Sequence, residues 1–289
     1  MQRSIRASDL SEGAPVMKLK KRINVTTVFA FVVLGVVILM ALVPQLFTSY
    51  DPLAPDYKSV LQGPSASHWL GTDELGRDIM SRLIYGARNT MMVGLGSSLL
   101  AALIGIPLGL IAGYFGGLLD NVIMRILDAF LSFPAMLLAI LVITIFGNSV
   151  PSLILTIATV NFPRFSRVVR SNVLSLKNRE FVEANRAFGA KNSYILFRTL
   201  LPNCVSAITV QFSLLTAVAI LVEAGLSFIG LGIQPPDPAW GSMLQYSQNY
   251  LSQASWYMIA PTVMIFLVVL AVNFFGDFLR DLFDPMKQR

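Results

Sequence analysis

The stretch that decides the fold is "AFLSFPAMLLAILVITIFGNSVPSLILTIATVNFP", Ala129–Pro163, 35 residues without one charged side chain. A helix needs roughly 20 apolar residues to cross about 30 Å of hydrocarbon. This run is therefore too long for one span and too short for two spans and a turn. In its middle lies "GNSVPS" (Gly147–Ser152), a turn-forming cluster. Two helices joined there would have to extend beyond the run, one back past Asp128 and Arg125, the other forward towards Arg167.

Charge on either side selects the two-helix reading. Between Arg164 and Arg198 lie eight basic residues: Arg164, Arg167, Arg170, Lys177, Arg179, Arg186, Lys191 and Arg198. Six more Lys and Arg precede the first apolar run, Val25–Phe47. Basic residues mark cytoplasmic flanks. If both groups are cytoplasmic, an even number of crossings separates them. Six spans result, near 25–47, 90–114, 122–146, 150–170, 204–226 and 256–276, with both termini inside. On this reading 1–24 and 287–289 are cytoplasmic tails, 25–286 is one transmembrane domain, and 48–89 and 228–255 are outer segments. Trp69, Trp240 and Trp256 fall on or beside the outer segments, as interfacial anchors do.

Composition agrees. The chain is 55% apolar and 13% charged, against about 25% charged for soluble domains. That deficit describes an all-α polytopic membrane protein. The net charge of +6 is accounted for by membrane flanks, so nucleic acid is not an expected partner, whereas membrane lipid is. Val25–Phe47 is longer than a signal-peptide core and no A-x-A site follows it, so it reads as a retained span. Cys204 is the single cysteine and reads as packing.

Several chemistries are missing. There is no P-loop, HExxH, GxSxG or metal-ligand cluster, and the one histidine, His68, lies in an outer segment. No cofactor or metal is expected on this chain. Glu223, about 19 residues into the fifth span, is expected near the outer interface. A structural hydrogen bond there competes with a place, together with Ser227, on a translocation path. Ala101, Gly105, Gly109, Gly113 and Gly117 recur every four residues and would form a groove for a close helix. That helix could belong to this chain or to a partner. In the outer "TDELGRDIMSRLIYGA", Thr72 fits an N-cap, with Asp73 and Glu74 in a first helical turn.

One polar segment interrupts the apolar runs: "EFVEANRAFGAKNSYILFRTLLPN", Glu180–Asn203, within a cytoplasmic loop at 179–203. A first helix over Arg179–Phe188 has Phe181, Val182, Ala184, Ala187 and Phe188 available for an apolar side, and Gly189 suits the left-handed position that ends it. Asn192 or Ser193 can cap a second helix that Pro202 breaks. Taken alone, the pattern fits an amphipathic interfacial loop.

The order of Glu183-Ala184, Gly189, Ile195 and Leu201-Pro202 resembles the EAA loop of binding-protein-dependent ABC importer permeases, with Asn185 where a second alanine is usual. Four further stretches narrow the likeness: "HWLGTDELGRDIMSRLIYGARNT" (His68–Thr90), "AGYFGGLLDNVIMRILDAFLSFP" (Ala112–Pro134), "EAGLSFIGLGIQPPDPAWGSML" (Glu223–Leu244) and "FGDFLRDLFDP" (Phe275–Pro285). They are similar to the C-type permease of the dipeptide/oligopeptide/nickel group. The resemblance implies a type I importer permease fold, pairing with a B-type permease, two cytoplasmic ATPases that bind ATP and Mg, and an extracytoplasmic solute-binding protein. It places Glu183, Ala184, Arg186, Gly189, Ala190, Ile195, Leu201 and Pro202 in the coupling loop against an ATPase. Cargo would be dipeptides or oligopeptides, with glutathione, nickel or an opine metallophore chelate as alternatives within the group. A secondary transporter or a membrane-embedded enzyme would need internal repeats, midplane ionisable groups or paired acid–base residues, and none is seen.

Overall fold

Residues 24–283 are described by the computed structural model. The tails at 1–23 and 284–289, and with them the sidedness expected for the termini, lie outside the described residues. Among the described residues the secondary structure is helical, apart from one isolated bridge between Thr72 and Asp78. The long elements are α1 (Val25–Leu42), α2 (Ile79–Phe115), α3 (Gly117–Ser132), α4 (Ala135–Phe146) and α5 (Val150–Leu176). They are followed by α6 (Glu180–Ala187), α7 (Asn192–Tyr194), α8 (Leu201–Phe228), α9 (Trp240–Ser247) and α10 (Ser255–Phe283).

The centre of the bundle is the contact between α2 and α5, the most extensive between any two helices. Its cause is visible in the glycine stripe. A Cβ on Gly105 would sit 2.6 Å from the Phe165 Cβ, one on Gly109 2.5 Å from the Ser166 carbonyl, and one on Gly113 2.8 Å from the Val173 Cβ. These distances leave room only for hydrogen, so the α5 backbone lies directly on α2. The stripe of Ala101, Gly105, Gly109 and Gly113 thus faces a helix of the same chain. Gly117 does not belong to it. Helix α2 ends at Phe115, and Gly116 (φ +66) and Gly117 (φ +57) form a left-handed corner that turns the chain into α3.

The third crossing departs from the expected single span at 122–146. Helices α3 and α4 meet at 92°, with Phe133 and Pro134 extended between them. Pro134 cannot donate a helical hydrogen bond and biases Phe133 away from helix, so the break falls where the sequence places proline. Helix α3 is amphipathic: Leu118, Val122 and Ile126 are exposed, while Asp120 is buried. Its acids face α5, where Arg170 holds Asp120 in a two-pronged pair at 2.6 Å and Arg167 pairs with Asp128. Among the described residues four helices, α1, α2, the α7–α8 stretch and α10, are long and apolar enough to cross a membrane, and the bent α3–α4 pair makes up to five. Helix α5 has the length for a sixth, but Arg164, Arg167 and Arg170 occupy its second half.

The segment before α2 is a polar knot rather than a helix begun at Thr72. Thr72 accepts from the Gln62 amide at 2.8 Å and donates to the Ser59 carbonyl. The buried Asp73 carboxylate accepts from the Leu75 and Arg77 amides at 2.9 Å and from Arg77 Nε at 2.7 Å. So many local acceptors for backbone N–H favour a turn over helix. Gly76, at φ +76, lies where a Cβ would be 1.8 Å from the Asp56 carbonyl oxygen. The true N-cap is Asp78, which accepts from Ser81 N at 2.7 Å and meets His68 Nδ1 at 3.0 Å. The expected outer segment 48–89 therefore yields residues 79–89 to α2.

Trp240 is also repositioned. It is fully buried against α2, donating from Nε1 to the Leu83 carbonyl at 2.9 Å, whereas Trp69 is exposed. A glycine packed against a neighbouring helix and one with open space around it should separate cleanly in a stability measurement. Gly109→Val forces an overlap against α5 and should cost about 1–3 kcal/mol. Gly35→Ala in α1, with nothing within 4 Å of the added methyl, should be neutral or slightly stabilising. Thermal unfolding of the purified protein in detergent checks both. An unchanged midpoint for Gly109→Val is the outcome that contradicts the packing described.

Candidate functional site

The polar hairpin lies at the end of the bundle where α5 finishes and α8 begins. Its first helix, α6, carries Glu180 and Glu183 in its first turn and Arg186 in its last, the arrangement that complements the helix dipole. The C-terminus closes in a Schellman arrangement. Ala190 N donates to the Asn185 carbonyl at 3.0 Å and Gly189 N to the Arg186 carbonyl at 2.9 Å. Gly189 takes φ +78, the conformation this closure demands of its C′ residue.

Only one side chain of α6 is fully buried. Val182 enters the cluster formed by Phe165, Val173, Ile195, Leu200 and Tyr114. The broader apolar side expected from sequence does not form: Phe181 is 39% exposed and Phe188 is 90% exposed. An eight-residue helix touches the bundle along one edge, and Phe188 sits at the C-cap beyond that edge. Glu183, Ala184, Arg186, Phe188 and Gly189 are all exposed, whereas Ala190 is half-buried and Ile195 is fully buried.

The second arm differs from the expected short helix ended by proline. Neither Asn192 nor Ser193 caps it; Lys191 holds the N-cap position without a side-chain bond. After α7 the chain makes a π-helical turn over Ile195–Leu200 and enters α8 without interruption, giving 37 continuous helical residues from Asn192 to Phe228. Pro202 stands in the first turn of α8. A proline ring in a regular helix collides with the carbonyl four residues earlier. The π turn opens the spiral there, with Leu201 N bonding back to Leu196 O.

Residues outside the motif fix the hairpin to α2. The Tyr114 hydroxyl donates to Asn192 Oδ1 at 2.9 Å, and the Arg186 guanidinium lies 5.1 Å from the centre of the Tyr114 ring. Lys177 Nζ donates to the Gly113 carbonyl at 3.1 Å. Asn185, the departure from the usual alanine, donates to the Phe181 carbonyl at 2.9 Å and to Thr199 Oγ1 at 3.3 Å, linking α6 to the π turn. Tyr114 was not singled out in the sequence. Its one signal there is its position directly after Gly113, at the end of the stripe.

The second candidate group lies at the opposite end of α8. Glu223 is fully buried and accepts from Ser227 Oγ at 2.7 Å. It is closed in by the following loop: a Cβ on Gly232 would sit 1.7 Å from Ser227 Oγ, and one on Gly241 2.6 Å from Ser227 Cβ. Within the protomer the pair makes a structural hydrogen bond. No cluster of three or more His, Cys, Asp or Glu that could hold a metal occurs among the described residues.

Comparison with known proteins places this architecture. The family described as the binding-protein-dependent transport system inner membrane component matches residues 105–289. The dipeptide transport system permease protein DppC of Alkalihalophilus pseudofirmus is 44% identical over 268 residues, covering 93% of this chain and 88% of the relative. The glutathione transport system permease protein GsiD of Pectobacterium atrosepticum is 46% identical over 230 residues, 80% of this chain and 76% of the relative. Among solved structures, an inward-facing MetNI methionine ABC transporter chain superimposes with a TM-score of 0.61 at 20% identity, over 71% of this chain and 98% of that one. The match over residues 105–289, which contains the hairpin, the three glycines Gly105, Gly109 and Gly113, and α8, makes the chain a member of the binding-protein-dependent transport system inner membrane component family, an all-α permease of ABC importers.

Proposed function

We propose that this permease carries short peptides inward as one half of a heterodimer with a B-type permease. Two cytoplasmic ATPases would bind ATP and Mg, and a solute-binding protein would deliver cargo on the outer side. The observation that carries the coupling role is the hairpin's build: an exposed α6 closed by a Schellman turn, with Glu183, Ala184 and Gly189 all exposed. Such a surface can be gripped, and the closed corner passes a displacement on instead of yielding to it. On this reading the hairpin end is cytoplasmic and both tails lie on that side. The tails, the outer knot at 48–78 and the loop at 229–239 complete the sidedness expected from the basic residues.

Two links would carry the displacement onward. The continuous helix from Asn192 to Phe228 leads it into α8. Tyr114 leads it into α2, because it holds both arms of the hairpin, Arg186 on its ring and Asn192 on its hydroxyl. The peptide reading is supported by the relatives that transport dipeptides and by di/tripeptide permease DppC of Pseudomonas aeruginosa at 43% identity. Glutathione, itself a tripeptide, is the second reading, favoured by the 46% identity to a glutathione permease. Nickel and metallophore chelates remain the third reading within the group.

The lever is tested by Gly189→Val in the reconstituted complex. Nothing lies within 4 Å of the added Cβ, so the change acts through the φ of +78 alone. A left-handed conformation costs a non-glycine residue roughly 1–2 kcal/mol, more when β-branched. Uptake per ATP hydrolysed should fall several-fold while membrane insertion is unchanged; normal coupling would contradict the lever. For the latch, Tyr114→Phe keeps the ring under Arg186 and loses the bond to Asn192, whereas Tyr114→Ala loses both. Hydrogen exchange of the 180–200 amides should quicken modestly in the first and more strongly in the second. Uptake of dialanine, glutathione and nickel by the wild-type complex ranks the three cargo readings.

A further inference from the structure

At the end of the bundle opposite the hairpin, a cavity of about 900 Å³ opens between three parts of the chain. One wall is the first turns of α2, where Tyr85, Arg88, Asn89 and Met92 share a face at i, i+3, i+4 and i+7. The segment around Asp51 forms a second wall, and Asp237 with Pro238 a third. The volume lies within the range of sites for small polar ligands.

Its charges are unusual for their location. With the hairpin end cytoplasmic, the outer side of this chain carries four basic residues: Lys58, Arg77, Arg82 and Arg88. Arg77 and Arg82 lie within ion-pair distance of Asp73, and Lys58 is exposed and stands outside this cavity. Arg88 has no ion pair and no side-chain hydrogen bond among the described residues, and it is exposed. An unneutralised arginine on the outer flank runs against the positive-inside pattern and needs a reason. Asp237 is the one charged residue in the 28 residues from Phe228 to Ser255, and it too is exposed and without a partner among the described residues. These opposite charges line one cavity and do not neutralise each other. Asn89 Nδ2 donates to the Pro238 carbonyl at 2.9 Å, which ties the loop carrying Asp237 to the helix face carrying Arg88 and fixes the two walls relative to each other.

A pair of opposite charges held apart in an open cavity is complementary to a zwitterion. Every unblocked peptide is one at neutral pH, because its α-carboxyl titrates near 3.3–3.7 and its α-amino group near 7.7–8.0 whatever its side chains. In a dipeptide the termini stand roughly 7 Å apart. We propose that this cavity is the outer receiving site for the two ends of a short peptide, Arg88 taking the carboxylate through its planar fork and Asp237 the ammonium. Asp51, on the same wall set, adds a second carboxylate on the ammonium side of the balance. A site that holds only the termini tolerates any side chain between them. This inference rests on the peptide reading proposed above.

The test uses the full complex in proteoliposomes, with its binding protein loaded with L-alanyl-L-alanine. Arg88→Gln and Asp237→Asn should each lower dialanine uptake roughly tenfold at subsaturating peptide, the loss of one charge-assisted contact. Arg88→Lys, which keeps the charge and loses the fork, should fall between wild type and Arg88→Gln. The affinity of the loaded binding protein for the complex, measured in parallel, should stay within about twofold of wild type. Uptake unchanged in both variants overturns the proposal. So does a loss of uptake matched by an equal loss of binding-protein affinity, which would make the cavity a protein docking surface. If the wild-type complex itself takes up no dialanine, the peptide reading falls and this site assignment falls with it; uptake by the wild type together with indifferent variants removes the site assignment alone.

Discussion

Everything in this molecule depends on how closely α5 can approach α2. In lipid there is little hydrophobic drive to hold helices together, so van der Waals contact at short range must do it. The missing Cβ atoms at Gly105, Gly109 and Gly113 supply that range, and the α5 backbone fills it. The consequence is a two-helix spine. At one end it presents Tyr114 to the hairpin, and Lys177 at the end of α5 donates to the Gly113 carbonyl of α2. At the other, the start of α2 is packed against the buried Trp240. The spine is what lets both ends of the bundle be defined by the same pair of helices.

Charge is handled by a different rule at each end. At the hairpin end two of the three arginines in the second half of α5, Arg167 and Arg170, are held by Asp128 and Asp120 of α3. At the opposite end Asp73 gathers Arg77 and Arg82 into a buried knot. The buried pairs of Asp73 stabilise little by themselves, but leaving that carboxylate unpaired would cost several kcal/mol. The value of the pairs at both ends is geometric: they fix where α3 and α2 begin.

Much of this was legible in the sequence, for physical reasons that can be named. Composition and the 35-residue uncharged run fixed a membrane bundle with a turn near Gly147, because hydrocarbon thickness leaves few other solutions. Gly189 announced a left-handed corner, since few other residues are placed so after a short helix. What the sequence concealed was tertiary. Pro202 reads as a break, yet a π turn one step earlier absorbs it. Pro134 sits inside an apolar run that looks continuous, and beyond the 92° bend the acids of α3 meet arginines of α5 that are about 40–50 residues away in sequence. Thr72 looked like a helix cap until Ser59 and Gln62, more than nine residues earlier, claimed its hydroxyl. The buried side of Trp240 and the link from Tyr114 to Asn192 span 157 and 78 residues, distances over which local pattern carries no information.

The uninterrupted helix from Asn192 to Phe228 has a mechanical meaning. At 1.5 Å per residue it is a strut about 55 Å long, nearly twice the thickness of the hydrocarbon it crosses. Helices resist compression, so a tilt imposed at Asn192 reappears, reversed about whatever fulcrum the bundle provides, at Glu223 and the loop that carries Asp237. The departure from α-helical geometry along its length is the π turn at Ile195–Leu200, which stands beside the hairpin and far from the cavity. The departure from regular helix therefore lies beside the hairpin, and the rest of α8 continues as an unbroken α-helix to Phe228.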